Sequence, residues 1–211
     1  MTLISLKAEI FRTDGAVKAE FSDGSSLLFS IHYLPETISL DDEGNCVPWE
    51  PGRELSPGEE EACRFAAACY RAEKIALRLI ARAEQNSLAL SAKLERRKID
   101  AAVVKAVISR LLDQNLLDNE RYAERWIRSH LALRKAPSPQ WLLAALGKRG
   151  IDRKSSLRAL DKVIDPQTEY ELLEKYLEKT RISQDSGAFS IRAQLKYEGF
   201  SSTVIDLYLG T

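Results

Sequence analysis

Ala92-Lys93-Leu94-Glu95-Arg96-Arg97-Lys98-Ile99-Asp100, Ala144-Ala145-Leu146-Gly147-Lys148-Arg149-Gly150-Ile151-Asp152 and Ala193-Gln194-Leu195-Lys196-Tyr197-Glu198-Gly199-Phe200-Ser201 superimpose without gaps. Leu94 and Leu146 are 52 residues apart, and Leu146 and Leu195 are 49 apart. A near-constant spacing of this length is the mark of a repeated supersecondary unit. Four residues before each Leu stands Leu90, Leu142 or Ile191, and two before stands Ala92, Ala144 or Ala193. These positions are read together as one apolar face of a short helix, with the small residue expected to let a neighbour approach closely. Asn86, Ser138 and Gly187 sit where that short helix begins, and each suits an N-cap.

Gly150 and Gly199 fall where the short helix must end in a left-handed residue. Lys98 occupies that place in the first copy, and keeping the conformation there costs about 1 kcal/mol relative to glycine. The next helix opens on Asp100, Asp152 or Ser201, again capping residues. The apolar residue before each cap (Ile99, Ile151, Phe200) is placed to staple to Val104 in copy one and Ile205 in copy three. Copy two has Ser156 at that position, so its contact must move to Leu157 or be absent. A longer helix precedes each pair, over about Pro57–Glu84, Asn119–Leu133 and Gln167–Thr180. The pattern predicts a mainly α protein of three tandem three-helix repeats. A unit this small buries its face poorly alone, so the copies are expected to stack into a curved rod.

The first thirty residues read differently. Leu3 to Phe11 ends at the turn signal Thr13-Asp14-Gly15, Ala16 to Phe21 alternates with Val17, Ala19 and Phe21 on one face, and Ser26 to Ile31 follows a turn at Asp23-Gly24. A small antiparallel β meander is expected before the repeats. Residues 35–60 are rich in proline, glycine and acids and read as a connector. Ser56-Pro57 with Glu59 marks the first long helix. The expected segments are a β-rich extension over 1–56 and repeats over 57–115, 116–165 and 166–211.

Hydrophobic content of 45% and charged content of 29% are those of an ordinary globular chain. The amino terminus reaches Lys7 and Glu9 before an apolar run develops, unlike a signal peptide, and no stretch is long enough for a membrane span. A cytoplasmic protein is expected. Cys46, Cys63 and Cys69 lack any CxxC spacing, and with only His32 and His130 they offer no metal set. No phosphate-binding glycine loop and no nucleophile–base grouping is suggested by spacing. His130, at the end of a helix, reads as a structural histidine. The sequence points to a non-enzyme without a cofactor.

Net charge is zero but segregated. Residues 1–60 carry 4 Lys/Arg against 12 Asp/Glu, residues 61–165 carry 22 against 12, and residues 166–211 carry 5 against 7. A basic middle can engage a polyanion or an acidic protein surface. Arg121, Arg125 and Arg128 follow i, i+4, i+7 along one edge of the helix that starts near Asn119, with Tyr122, Ala123 and Trp126 toward the buried side. Arg134 and Lys135 continue this charge. Arg96, Arg97 and Lys98 close the short helix of copy one, and Lys148 with Arg149 recur in copy two. Copy three has Tyr197 and Glu198 there, so the basic character fades. Arginine forks suit phosphate and carboxylate alike, which makes these ten residues the candidate partner- or DNA-binding set.

Leu116-Leu117-Asp118-Asn119-Glu120-Arg121-Tyr122-Ala123-Glu124-Arg125-Trp126-Ile127-Arg128-Ser129 resembles the central signature of the RecX regulatory proteins. Ala76-Leu77-Arg78-Leu79-Ile80-Ala81-Arg82 resembles that family's first repeat, and Gly147-Lys148-Arg149-Gly150-Ile151 its second. The strands with Gly52-Arg53-Glu54-Leu55-Ser56 look like the extension of longer members. The resemblance covers residues 60–209 well. Asn86 stands where serine is usual, Ala83 where a second arginine is common, and Ala136-Pro137-Ser138-Pro139 replaces a Gly-Pro start. The resemblance implies a monomeric modulator of recombination and DNA repair, within the SOS response. It would bind the RecA filament, with single-stranded DNA, and restrain RecA's ATPase and strand exchange. Two other readings remain: an autonomous DNA-binding module, because capped helix pairs can resemble helix-turn-helix units, and a helical scaffold for another protein.

Overall fold

The computed structural model describes residues 1–8, 16–35, 52–133, 136–180 and 188–210. Three strands, β1 (Leu3–Ala8), β2 (Ala16–Phe21) and β3 (Ser26–Ser30), form one antiparallel sheet in chain order. Val17 pairs with Phe29 and Ala19 with Leu27, and Val17, Ala19 and Phe21 are all buried, as the alternation predicts. At the β2–β3 turn Gly24 has φ 80°, and the Ser25 amide donates to Asp23 Oδ1 at 2.9 Å. The turn expected at Asp14-Gly15 lies outside the described residues, as does most of the connector. A single 3₁₀ turn, Ile31–Tyr33, follows β3.

Nine helices follow among the described residues: α1 (Pro57–Arg82), α2 (Ser87–Glu95), α3 (Ala101–Asp113), α4 (Asn119–Ala132), α5 (Pro139–Gly147), α6 (Arg153–Val163), α7 (Pro166–Thr180), α8 (Ala188–Tyr197) and α9 (Ser202–Leu209). They read as three successive triplets of one longer helix and two shorter ones, the predicted repeat. The chain divides into two compact units, Met1–Ala83 with Leu90–Leu116 and Glu84–Ala89 with Leu117–Thr211.

In the first unit the sheet packs on α1. Leu3, Val17, Ala19, Phe21 and Phe29 share one core with Cys63, Ala66 and Ala67. The alanine-rich face of α1 lets the sheet approach closely. Leu55, in the stretch read as a connector, belongs to this core, because its amide donates to the Met1 carbonyl and extends the edge of β1. Ser56 and Glu59 form a reciprocal capping box at the start of α1. Burial pushes the Cys63 and Cys69 thiols up to about 11 and about 12, so both are inert near neutrality. Cys46 lies outside the described residues.

The second unit holds two cores. Ala123, Ile127, Leu142, Leu146, Ile151, Ala159 and Leu160 join α4, α5 and α6. Leu172, Leu173, Leu177, Ile191, Leu195, Phe200, Val204 and Ile205 join α7, α8 and α9. The predicted caps are in place. Ala89 N donates to Asn86 Oδ1 at 2.7 Å, Trp141 N to Ser138 Oγ at 3.2 Å, and Ala102 N to Asp100 Oδ1 at 2.8 Å. Ser155 N likewise donates to Asp152 Oδ1 and Val204 N to Ser201 Oγ. The cap expected at Gly187 lies outside the described residues. Leu90, Leu142 and Ile191 are buried with Leu94, Leu146 and Leu195, but Ala144 and Ala193 are exposed and Ala92 is half-buried, because residues two apart stand on opposite sides of a helix.

The turn after each short helix is left-handed in all three copies, at Lys98 (φ 60°), Gly150 (φ 74°) and Gly199 (φ 85°). Ile151 N to Leu146 O at 3.2 Å and Phe200 N to Leu195 O at 3.1 Å close copies two and three in the same way. Ile205 and Phe200 share one core as the staple predicts, whereas Leu157 is 40% exposed. Copy two therefore has no substitute staple at Leu157. Ser156 fills the position instead, fully buried, its hydroxyl without a hydrogen-bond partner among the described residues.

Candidate functional site

Helix α4 carries the predicted basic edge. Asp118 caps it, accepting from Glu120 N at 2.8 Å and Arg121 N at 3.0 Å, and this sets where the helix begins. Ala123 and Ile127 are buried, while Tyr122 and Trp126 are half-buried at the margin of the same core. The remaining surface presents arginine.

That surface is not bare charge. Arg121 Nε lies 2.9 Å from one oxygen of Glu84, and Arg125 Nη1 lies 2.8 Å from the other. One carboxylate thus bridges two arginines a helical turn apart. Arg128 meets Glu124 at 3.3 Å. From α6, Lys162 reaches Glu120 and, at 3.2 Å, Glu124, and Arg158 stands 3.7 Å from Glu120. Five cations therefore surround three carboxylates. The side chains of Arg125 and Arg128 remain 63% and 56% exposed. Exposed ion pairs of this kind are worth about 0–1 kcal/mol, so an incoming phosphate or carboxylate can replace the internal acid at little cost.

The other candidates divide. Arg97 Nη1 donates to Lys93 O at 2.9 Å, and Arg149 Nη1 donates to Ala145 O at 2.8 Å. These are equivalent residues of successive copies, each satisfying a carbonyl left over at the helix end. Arg96, Lys98 and Lys148 are exposed. Arg134 and Lys135 lie outside the described residues. In copy three the equivalent of Arg97 and Arg149 is Glu198, whose carboxylate accepts from the Ser138 hydroxyl at 2.6 Å, and whose carbonyl accepts from Gln140 N at 2.9 Å.

Sequence reasoning missed an aromatic group on the same unit. The Arg149 guanidinium lies 4.4 Å from the centre of the Trp126 ring. His130 stacks 3.7 Å from Trp126, with its Nδ1 2.9 Å from the Trp126 carbonyl. The histidine is thus packed and hydrogen-bonded, as expected. Trp141 lies 6.1 Å from Trp126, inclined by 21°, and is 50% exposed. The one available signal was Trp141 itself, a large aromatic off the apolar column of a short helix.

Fold and surface together define a helical-repeat protein with an ion-paired cationic face, whose described helices are nowhere long and apolar enough to cross a membrane. No family model matches the chain. The chain is 34% identical over 151 residues to the regulatory protein RecX of Treponema pallidum (strain Nichols), covering 71% of this chain and 91% of that protein. It is 30% identical over 142 residues to regulatory protein RecX of Mycobacterium sp. (strain KMS), covering 65% and 72%. A crystal structure of regulatory protein RecX shares the fold with a TM-score of 0.61 at 17% identity, over 100% of this chain and 99% of that one. RecX from Lactobacillus salivarius does so at 0.50 and 22%, over 68% and 95%. The chain belongs to the RecX family of regulatory proteins.

Proposed function

We propose that this protein is a non-enzymatic, cytoplasmic modulator of the RecA–DNA filament, which it binds through the cationic edge of α4 and the basic turns of copies one and two. It acts as a monomer and needs no cofactor. The observation that carries the reading is the set of five cations around Glu84, Glu120 and Glu124, on the helix formed by the segment that resembles the family signature. Such a face meets a repeating acidic or phosphate-bearing surface by exchanging weak internal ion pairs for intermolecular ones. Arg121, Arg125 and Arg128 are the central contacts. Arg96, Lys98, Lys148, Arg134 and Lys135 add long-range attraction, while Arg97 and Arg149 contribute with the donors left after their helix-end bonds. On this reading the protein lowers RecA's ATPase and strand exchange and promotes filament loss.

The test is a titration of the purified protein into RecA on single-stranded DNA. ATP hydrolysis should fall at substoichiometric protein; no effect up to equimolar protein would refute the reading. An autonomous DNA-binding module would instead bind duplex tightly without RecA, with affinity falling steeply as salt rises.

A further inference from the structure

A cleft of about 280 Å³ opens beside Trp141, lined by residues of α4, of α5 with the segment before it, of α7 and of the turn after α8. Its walls include the rings of His130, Trp141 and Tyr176, and Lys179, Ser138 and Glu198 supply polar groups. The volume lies just under the roughly 300–1,000 Å³ of a drug-sized site, which suits one planar ring system better than a whole cofactor. Half of the Trp141 surface is open to solvent. The indole belongs to an aromatic group: Trp126 lies 6.1 Å away at a shallow angle, and His130 lies 6.1 Å from Trp141 and 3.7 Å from Trp126. Arg149 in turn lies over Trp126. A half-exposed aromatic face beside a lysine is the arrangement with which proteins stack bases and hold the adjoining phosphate.

The acid in the cleft is engaged within its wall. The Glu198 carboxylate accepts from Ser138 at 2.6 Å. Burial, and then the charge of Glu198, push the Tyr176 phenol above its ordinary range. Glu198 is part of the wall, tying the turn after α8 to the start of α5 and facing Tyr176.

We propose that this cleft is a stacking site for one base of a single-stranded nucleic acid, with the base on Trp141 and Lys179 at the neighbouring phosphate. The choice of polymer rests on the filament reading above; the geometry of the site does not. The site also differs in kind from the arginine edge, because stacking needs bases whereas ion pairing needs only the backbone.

The test uses the full chain without RecA, and anisotropy of a labelled mixed-sequence 15-mer against an abasic strand of the same length. The wild-type protein should bind the normal strand about five-fold or more tightly than the abasic one. Trp141→Leu should erase that advantage while leaving abasic binding unchanged, and Trp141→Phe should keep most of it. Lys179→Gln should weaken both strands alike and reduce the salt slope by about one. Equal affinity for the two strands, no measurable binding of either, or an unaltered ratio in Trp141→Leu would overturn the proposal. Should Trp141→Leu keep strand binding but lose inhibition of RecA's ATPase, the cleft takes a protein side chain and the proposal falls while the filament reading stands. If the wild-type protein discriminates the strands but never inhibits RecA, the filament reading falls and the stacking site stands.

Discussion

Lys98, Gly150 and Gly199 hold the same place in successive copies and adopt the same left-handed backbone, yet their surroundings differ. A Cβ on Gly150 would come within 2.8 Å of Leu88 Cδ2 and 2.9 Å of its Cβ. A Cβ on Gly199 would meet the Gln140 backbone nitrogen at 3.2 Å. Leu88 and Gln140 are themselves equivalent, each six residues before the Leu of its own copy. The turn of copy two thus seats on the first turn of α2, and the turn of copy three on the first turn of α5. Copy one has no predecessor, and the Lys98 side chain is exposed. Glycine in copies two and three answers to the seating as well as to the helix end, while in copy one only the backbone penalty applies.

The difference between copies is greatest at Gly150. Gly150→Ala combines a left-handed alanine with an overpacked contact and should destabilise by about 3 kcal/mol in urea unfolding. Gly199→Ala, where the approach is less severe, should cost about 2 kcal/mol. Equal effects would mean that φ alone sets the requirement. Ser156→Ala, which removes the unpartnered buried hydroxyl of copy two, should stabilise by about 1 kcal/mol in the same experiment. Lys98→Gly should stabilise by up to about 1 kcal/mol, because the strain there is not offset by a seat.

The smallest effect concerns the next cap. Hydrogen bonds from the Ser155 backbone and side chain hold the Asp152 carboxyl below its ordinary value. A depressed carboxylate stabilises the fold above its unfolded pKa and loses that contribution as pH falls through the folded value. Urea midpoints of the wild type should therefore fall more steeply below about pH 4 than those of Asp152→Asn, which caps without a charge to titrate.

These features were legible in the sequence because they are local. N-caps at Asn86, Asp100, Asp152 and Ser201, and the left-handed turns at Lys98, Gly150 and Gly199, are fixed by residues within five positions along the chain. The same holds for the alternation that buries Val17, Ala19 and Phe21. The site was less legible because it depends on closure of the fold. Arg121 lies 37 residues from Glu84, and no helical spacing announces that Glu84 will bridge Arg121 and Arg125. The spacing shows the basic stripe but not the acids that make it an ion-paired lattice. The Trp141 cleft assembles side chains from three helices and two turns of two copies, and Leu55 gains its place only through pairing with the amino terminus.

If the ion-paired edge of α4 is the face that meets the filament, removing its exposed cations must weaken inhibition. Arg125→Gln with Arg128→Gln removes two of them without placing new acids beside Glu84 and Glu124, and circular dichroism should be unchanged. In the RecA ATPase titration the double variant should need about ten-fold more protein for half-inhibition. Half-inhibition at the wild-type concentration, with the fold intact, would contradict the assignment of this face.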